Sequence, residues 1–356
     1  MIRKSYSQII PTWLALIISC LILFGCGVMA SIQAPAKPDP SGIIFVTVTP
    51  TRALVLNEGQ RSRPSSPSDI SPTPDFSGAN ELGEVMVLEY HRLGYPEMRF
   101  QRTPANFRAD LQRLYQNDYY PVNFVDLIRG LPQVPAGKKP VVLTFDDSDI
   151  SQFRVLDDNT IDADSAVGII LNFNARHLDW PVRATFFVLG NDNANHISVF
   201  GQSAWAEAKV QFLINQGMEI GSHTVNHVNL AAITAERIEW ELAVSQHVIE
   251  ELAPGYEVET LSVPYGEFPY TLDFLKAGQW GDFSYTYRGN AAAWGGPTVS
   301  PFDPTFDPYR VSRLEVTSDS LNHWLTYFEQ NPQAVYVSDG DPNRITTPES
   351  DTVARE

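Results

Sequence analysis

Apolar and polar positions alternate along the chain in blocks that change period. Glu84 to Tyr90 (EVMVLEY) is a nearly unbroken apolar run, the mark of a strand buried on both faces. Thr103-Pro104 then sets an N-cap residue before a proline at the first helical position. Phe107, Leu111 and Leu114 follow at i, i+4 and i+7, which predicts a helix. Val141–Phe145 and Ala184–Leu189 are further short runs of strand formers. A longer helix is predicted over Ala235–Leu252, with Ile238, Leu242, Ile249 and Leu252 inward and Pro254-Gly255 ending it. Strands are also expected at Thr260–Val263, Phe283–Tyr287, Arg310–Val316 and Ala334–Val337, and a helix at Leu321–Phe328. Strands alternating with helices define an α/β domain with a largely parallel sheet. Residues 84–342 are the right length for one barrel-like domain. No internal repeat is visible.

The flanks have another character. Arg3 and Lys4 precede an apolar run from Trp13 to Phe24, and Leu23-Phe24-Gly25-Cys26 follows. This layout resembles a bacterial lipoprotein signal, with residues 1–25 removed and Cys26 lipidated. An ordinary signal peptide or an uncleaved anchor are the alternatives. Each puts the body of the protein outside the cytoplasmic membrane, lipid-anchored or secreted. Residues 26–82 are rich in Pro and Ser, as in Arg61–Ser68 and Ser71–Pro74, and cannot bury enough apolar surface to offset chain entropy. They are expected to form a disordered tether, and 343–356 a polar tail. The only two cysteines are Cys20 and Cys26, so no disulfide is expected.

The formal net charge of −17, with no basic block, excludes nucleic acid and anionic headgroups as partners. It favours a neutral or cationic substrate. No oligomeric state follows from it.

Three segments carry candidate chemistry. Thr144-Phe145-Asp146-Asp147 puts two carboxylates at the end of a buried strand, where α/β folds gather active-site groups; a solvated turn is the alternative. His223-Thr224-Val225-Asn226-His227 spaces two imidazoles four apart. On one helical face they would reach a single metal ion, although such pairs also arise by chance. Val263-Pro264-Tyr265-Gly266 alone is a strand-ending turn.

In this order, the three segments resemble the polysaccharide deacetylase (NodB-homology) family of carbohydrate esterases, with its TFDD, H-[ST]-x-x-H and R-x-P-[YF]-G-like segments. The flanks Ala184–Val188, Glu219–His223 and Phe107–Tyr120 match as well. The likeness covers roughly residues 84–320. It implies a distorted (β/α) barrel and metal-dependent hydrolysis of acetyl groups, mainly N-acetyl, from an envelope or extracellular polysaccharide. Carried over singly, Asp147, His223 and His227 match the metal ligands. Asp146 matches the base. Tyr265 offers the backbone N–H that meets the developing oxyanion, and Pro264 shapes that turn. One divalent ion is implied, zinc first, with cobalt or nickel as alternatives.

The chain departs from the family pattern in three places. Ser262 stands where the family has an arginine that braces the base; Arg310 or Arg313 is a candidate replacement, with a surface position the plainer reading of either. No histidine follows Val335-Tyr336-Val337, where Ser338-Asp339 stands, and His323 falls within the predicted helix. The N-terminal Leu88-Glu89-Tyr90-His91 resembles a permuted arrangement found in some poly-N-acetylglucosamine deacetylases, which makes His91 the candidate general acid. Finally, Ser148–Val182 is long and carries Asp157, Asp158, Asp162 and Asp164, as a lip over the cleft or a plain insertion. Trp180, Trp294 and Tyr285 are candidates for stacking on sugar rings. A glycan-binding module without activity, or another amide-cleaving metal hydrolase, are the rival functions.

Overall fold

The structure, a computed structural model, describes residues 42–43, 78–190, 199–348 and 353–354. The signal segment 1–25, Cys26 and nearly all of the tether lie outside the described residues. Seven parallel strands close into a barrel: β1 (Met86–Tyr90), β5 (Lys139–Phe145), β6 (Thr185–Val188), β7 (Glu219–Ser222), β8 (Thr260–Ser262), β11 (Gly289–Gly295) and β12 (Val311–Glu315), which returns to β1. This is the distorted (β/α) barrel implied by the family resemblance. The distortion sits at β5. One edge pairs along its length with β1. The other pairs first with β4 (Tyr119–Val122) and only at its end with β6.

Helices α1 (Pro104–Gln116), α3 (Ala166–Asn174), α4 (Ala206–Asn215), α5 (Ala235–Leu252) and α6 (Ser318–Gln330) lie between the strands in sequence. Thr103 caps α1, accepting a bond from the Asn106 N–H with Pro104 at the first helical position, as the sequence predicts. Successive residues of β1 point to opposite faces. Met86, Leu88 and Tyr90 belong to one large apolar cluster, with Leu111 of α1 and Ile170 of α3. Val85 and Val87 belong to a second cluster with Val142, Phe187, Ala291 and Val311, which fills the barrel. The short α2 (Phe124–Ile128) adds Phe124 and Leu127 to it. Its first N–H groups are tied to Thr185 and Glu219 at the N-terminal ends of β6 and β7.

Two sequence expectations are corrected. The strand at 283–287 is β10 (Phe283–Thr286), paired antiparallel with β9 (Ala277–Trp280) outside the barrel. The two-residue loop Gly281-Asp282, with Gly281 at φ 57°, is a hairpin turn, and the hairpin packs on α5 with Phe283 stacked on His247. Residues 334–337 form only single bridges, Val335 to Glu84 and Val337 to Asn80. The barrel strand β11 was missed because GNAAAWG has no β-branched residue.

Boundaries also shift. Asn80 and Glu81, assigned to the tether, are buried. Arg344 and Thr346, assigned to the tail, bond to Asp339, and the Thr346 N–H to Glu81. Short β2 (Arg92–Leu93) and β3 (Gln101–Arg102) pair beside the top of β1, and β13 (Arg344–Ile345) pairs with β14 (Val353–Ala354).

Candidate active site

At the C-terminal end of the barrel its lining turns polar. Two residues beyond Val87, Val142 and Val311 on the same face stand Glu89, Thr144 and Arg313, all buried. Above them opens a cleft of about 720 Å³ that takes in His91, Asp146, Asp147, His223, His227 and Tyr265. These residues, singled out from four separate segments, thus converge.

The two acids leave β5 in different directions. The Asp146 N–H is bonded to the Tyr90 carbonyl of β1, while Asp147 (φ 76°) and Ser148 (φ 49°) both adopt the left-handed region. That turn is held by the Ser148 hydroxyl, which accepts the Leu189 N–H. It aims Asp147 at the histidines. Asp147 Oδ1 lies 3.4 Å from His223 Nε2 and 3.4 Å from His227 Nε2. Ligand atoms about 2.1 Å from a tetrahedral ion are about 3.4 Å apart, so the spacing fits one. The donor chemistry fits as well. His223 Nδ1 is 2.8 Å from the Ser262 carbonyl, which fixes the tautomer and leaves Nε2 a bare lone pair. That buried Nε2 has no hydrogen-bond partner among the described residues. Burial alone would lower His223, but the Asp146 and Asp147 carboxylates outweigh it and raise it. The field that draws a proton to this point also draws a cation. Burial, with His223 next to it, lowers His227 and favours the neutral imidazole a metal needs.

The histidines do not share a helical face. Residues 223–227 form a tight turn after β7, with Thr224 at φ 67° and His227 at φ 51°. The His227 N–H bonds the Thr224 hydroxyl. A residue the sequence reading did not single out supports this turn: buried Glu241 of α5 accepts from the N–H groups of Val225 and Asn226 and from the Asn226 side chain, and Arg237 pairs with it from the next turn of the helix.

Arg313 is the arginine that Ser262 lacks. It is fully buried, not on the surface. Its guanidinium grips Asp146 in a fork, Nη1 to Oδ1 at 2.8 Å and Nη2 to Oδ2 at 2.7 Å. Nη2 also donates to Ser262 Oγ at 2.9 Å, and Nη1 to Thr144 Oγ1 at 3.0 Å. Nε bonds the Ala292 carbonyl. Ser262 Oγ in turn donates to Asp146 Oδ2 at 2.8 Å. Arg310 is exposed, lying over the Phe268 ring. Burial by itself would raise Asp146, but Arg313, followed by His223 and His91, outweighs it and holds the carboxyl below its usual range. With Oδ2 accepting two bonds and Oδ1 one, the acceptor direction left open lies on Oδ1.

His91 follows β1, with a ring nitrogen within 4.8 Å of a carboxylate oxygen of Asp146. Its ring packs on Phe100 (4.7 Å), and its Nε2 is 3.7 Å from Glu89 Oε1. Burial lowers His91, against the pull of Asp146 and Asp147. Glu89 is pushed up to about 8 by burial, against the opposing charge of Arg313. Gln152 Nε2 bonds the carbonyls of both His91 (2.9 Å) and Asp146, tying the two strand ends together. Gln152 belongs to the long segment 148–182, which lines none of the cleft. Its helix α3 is core, so the segment is no lip.

Tyr265 takes a left-handed conformation (φ 58°) in the turn begun by Pro264, with its ring edge-on to His227 at 4.5 Å. Trp294, 54% exposed, lines the cleft. Its indole lies so close to Gly266 that an added Cβ would sit 2.3 Å from the ring. The other stacking candidates are excluded from the cleft: Trp180 is core, and Tyr285 is buried with its hydroxyl on the Phe274 carbonyl. His323 is exposed on α6, and Asp339 is buried in the network with Arg344 and Thr346.

Residues 133–279 match the family described as polysaccharide deacetylase. A peptidoglycan-N-acetylglucosamine deacetylase of Bacillus cereus is 26% identical over 164 residues, 46% of this chain and 50% of its own length. A chitooligosaccharide deacetylase of Sinorhizobium fredii is 27% identical over 145 residues, 40% and 54%. The chain thus spans about half the length of the curated relatives it matches. Among solved structures, a Streptococcus pyogenes deacetylase in complex with acetate superposes with a TM-score of 0.53 at 19% identity, over 68% of this chain and 97% of its own. IcaB from Ammonifex degensii does so with 0.50 at 20%, over 69% and 97%. At these identities the structural likeness establishes the fold.

Proposed function

Because the chain belongs to the polysaccharide deacetylase family, we propose that its cleft hydrolyses acetyl groups, mainly N-acetyl, from an envelope or extracellular glycan. The observation that carries the reading is the pairing of an Asp147–His223–His227 group spaced for one cation with a second carboxylate, Asp146, clamped beside it. A pure binding module has no use for a buried base held in register by a dedicated arginine. The missing arginine that favoured such a module is supplied by Arg313.

Asp147, His223 and His227 would hold a divalent ion, zinc in the first instance. When bound, the ion supplies a Lewis acid for the acetamide carbonyl and lowers the pKa of water. Asp146 takes the proton of the attacking water at Oδ1, with Arg313 and Ser262 fixing its plane. The Tyr265 backbone N–H donates to the carbonyl oxygen as it gains charge, and Pro264 sets that turn. His91 delivers a proton to the leaving amine. Glu89 Oε1 lies 3.7 Å from His91 Nε2, and burial pushes Glu89 up to about 8. The C–N bond then breaks, giving acetate and the free amine. Anchoring through Cys26 would keep the domain at the membrane face of the envelope.

The test is acetate release from N-acetylglucosamine oligomers, with bound metal measured on the same samples. Wild type should release acetate and hold near-stoichiometric metal. His227→Ala should lose both, and Asp146→Ala should keep metal and lose turnover. An inert wild type that binds no metal would sink the proposal.

A further inference from the structure

We infer that Phe100 is a positioning residue for the proposed acid: its ring holds the His91 imidazole at the angle from which a proton reaches the leaving nitrogen. The inference rests on the deacetylase reading, in which His91 is that acid.

The backbone gives the first support. Met98 and Gln101 exchange two backbone bonds, at 3.1 and 2.9 Å, so Arg99 and Phe100 are the central residues of a tight turn. Phe100 takes φ 61°, in the left-handed region. Turns fill that place with glycine or asparagine, and a bulky side chain there is uncommon. Such a conformation persists only where its surroundings over-determine it. Burial does not explain the ring, because Phe100 is 39% exposed. An aromatic residue stands where the backbone asks for a small one and where the core does not need it.

The contacts of the ring supply the reason. Its centroid lies 4.7 Å from that of the His91 imidazole, with the two planes at 50°. The Arg99 guanidinium sits over the same ring at 4.5 Å. Arg99 is tied in turn to Glu315 at the end of β12, Nε to Oε1 and Nη2 to Oε2 both at 3.1 Å. The Phe100 carbonyl accepts the Arg92 N–H at 3.1 Å, which fastens the turn to the residue that follows His91. His91, Phe100, Arg99 and Glu315 all line the cleft. A line of contacts thus runs from a barrel strand to the imidazole. The carboxylate beside that imidazole, Glu89 Oε1, is 3.7 Å from Nε2, too far for a hydrogen bond, so packing sets the ring's angle. A general acid works only within hydrogen-bond reach of the atom it protonates, and a small misplacement is costly. The face of an aromatic ring also attracts the imidazolium from which the proton is given.

An amine needs a proton to leave and a nitrophenolate does not. Two substrates therefore separate loss of a positioned acid from general damage. Acetate release from N-acetylglucosamine oligomers and hydrolysis of p-nitrophenyl acetate are compared in metal-loaded wild type, Phe100→Asn and Phe100→Tyr. Asparagine tolerates the left-handed backbone, so the turn is kept and the ring alone is lost. In Phe100→Asn, kcat on the oligomers should fall about tenfold or more with KM within about twofold, while the p-nitrophenyl acetate rate stays within about twofold. Phe100→Tyr should keep both rates. An equal loss on both substrates marks a structural role and overturns the inference. A raised KM at unchanged kcat marks a sugar contact and overturns it as well, as do unaltered kinetics. A wild type that releases no acetate from the oligomers removes the deacetylase reading, and the inference with it.

Discussion

Replacing Arg313 with Met keeps most of the side-chain volume and removes the charge. Asp146 then loses both charge-assisted bonds and keeps the Ser262 hydroxyl, while Thr144 Oγ1 and the Ala292 carbonyl each lose a donor. Breaking a buried ion pair from one side costs about 3–5 kcal/mol, against a total stability of about 5–15 kcal/mol for a typical domain. The variant is expected to fold, with a lower urea midpoint. The sign with pH follows from Asp146. Its folded value now lies below the unfolded one, so its ionisation contributes stability above roughly pH 4, lost as pH falls through the folded value. Without Arg313, burial dominates and raises it, so the loss of stability is larger at pH 7 than at pH 4. In kinetics, kcat should fall about 100-fold or more and the acid limb of the pH profile should move upward. A second variant separates folding from positioning. Arg313 Nη2 and Ser262 Oγ are 2.9 Å apart, so Ser262→Arg in an Arg313→Ser background returns the guanidinium to the same spot from β8. This double variant should recover at least tenfold of the lost kcat, a coupling read from the double-mutant cycle. If Arg313→Met keeps kcat within about twofold and the same acid limb, the bracing argument is wrong.

Three further outcomes are expected. Glu241→Gln withdraws the charge from the 223–227 turn and should weaken metal binding about 10- to 100-fold by equilibrium dialysis, with secondary structure intact by circular dichroism. Glu219, at the base of the barrel, is pushed up to about 7 by burial, so the folded state binds its proton more tightly than the unfolded state. Stability should therefore decline between about pH 4.5 and 7 and stay at the lower level above, and Glu219→Gln should flatten that slope in urea titrations. Chelation should lower the melting temperature by an amount that grows with the metal previously supplied, because a ligand at about 100 times its Kd stabilises by about 2.7 kcal/mol.

What the sequence disclosed follows a physical pattern. Asp146 and Asp147 were legible because a buried apolar strand ran straight into them, and β5 delivers them to the cleft. His223 and His227 were found for a reason that fails in detail: four-residue spacing suits a helical face, but it equally suits a turn with two left-handed residues. Arg313 was named only as one of two guesses, since an arginine in a strand normally faces water. The signal that could have decided it was the period of two: with Val311 inward, Arg313 is inward as well. Arg310 belongs to the loop before the strand. The absence of an arginine at 262 looked like a loss in one dimension; in three, Arg313 of β12 reaches the same carboxylate. Glu241 gave no signal, because a glutamate near the start of an amphipathic helix is ordinary until the turn it props is seen. β11 escaped because glycine and alanine carry no strand preference of their own.

The ring of strands has a consequence for how the molecule comes into being. β1, near the start of the described domain, is flanked by β5 on one side and β12 on the other, and the clamp on Asp146 spans 167 residues of chain. During synthesis the acids and histidines emerge well before the residue that holds the base in place. A chain that stops short of Arg313 carries every recognisable motif and an incomplete site. Assembly of the cleft is therefore a check on the whole domain: the proposed base is braced only when the last barrel strand has found the first.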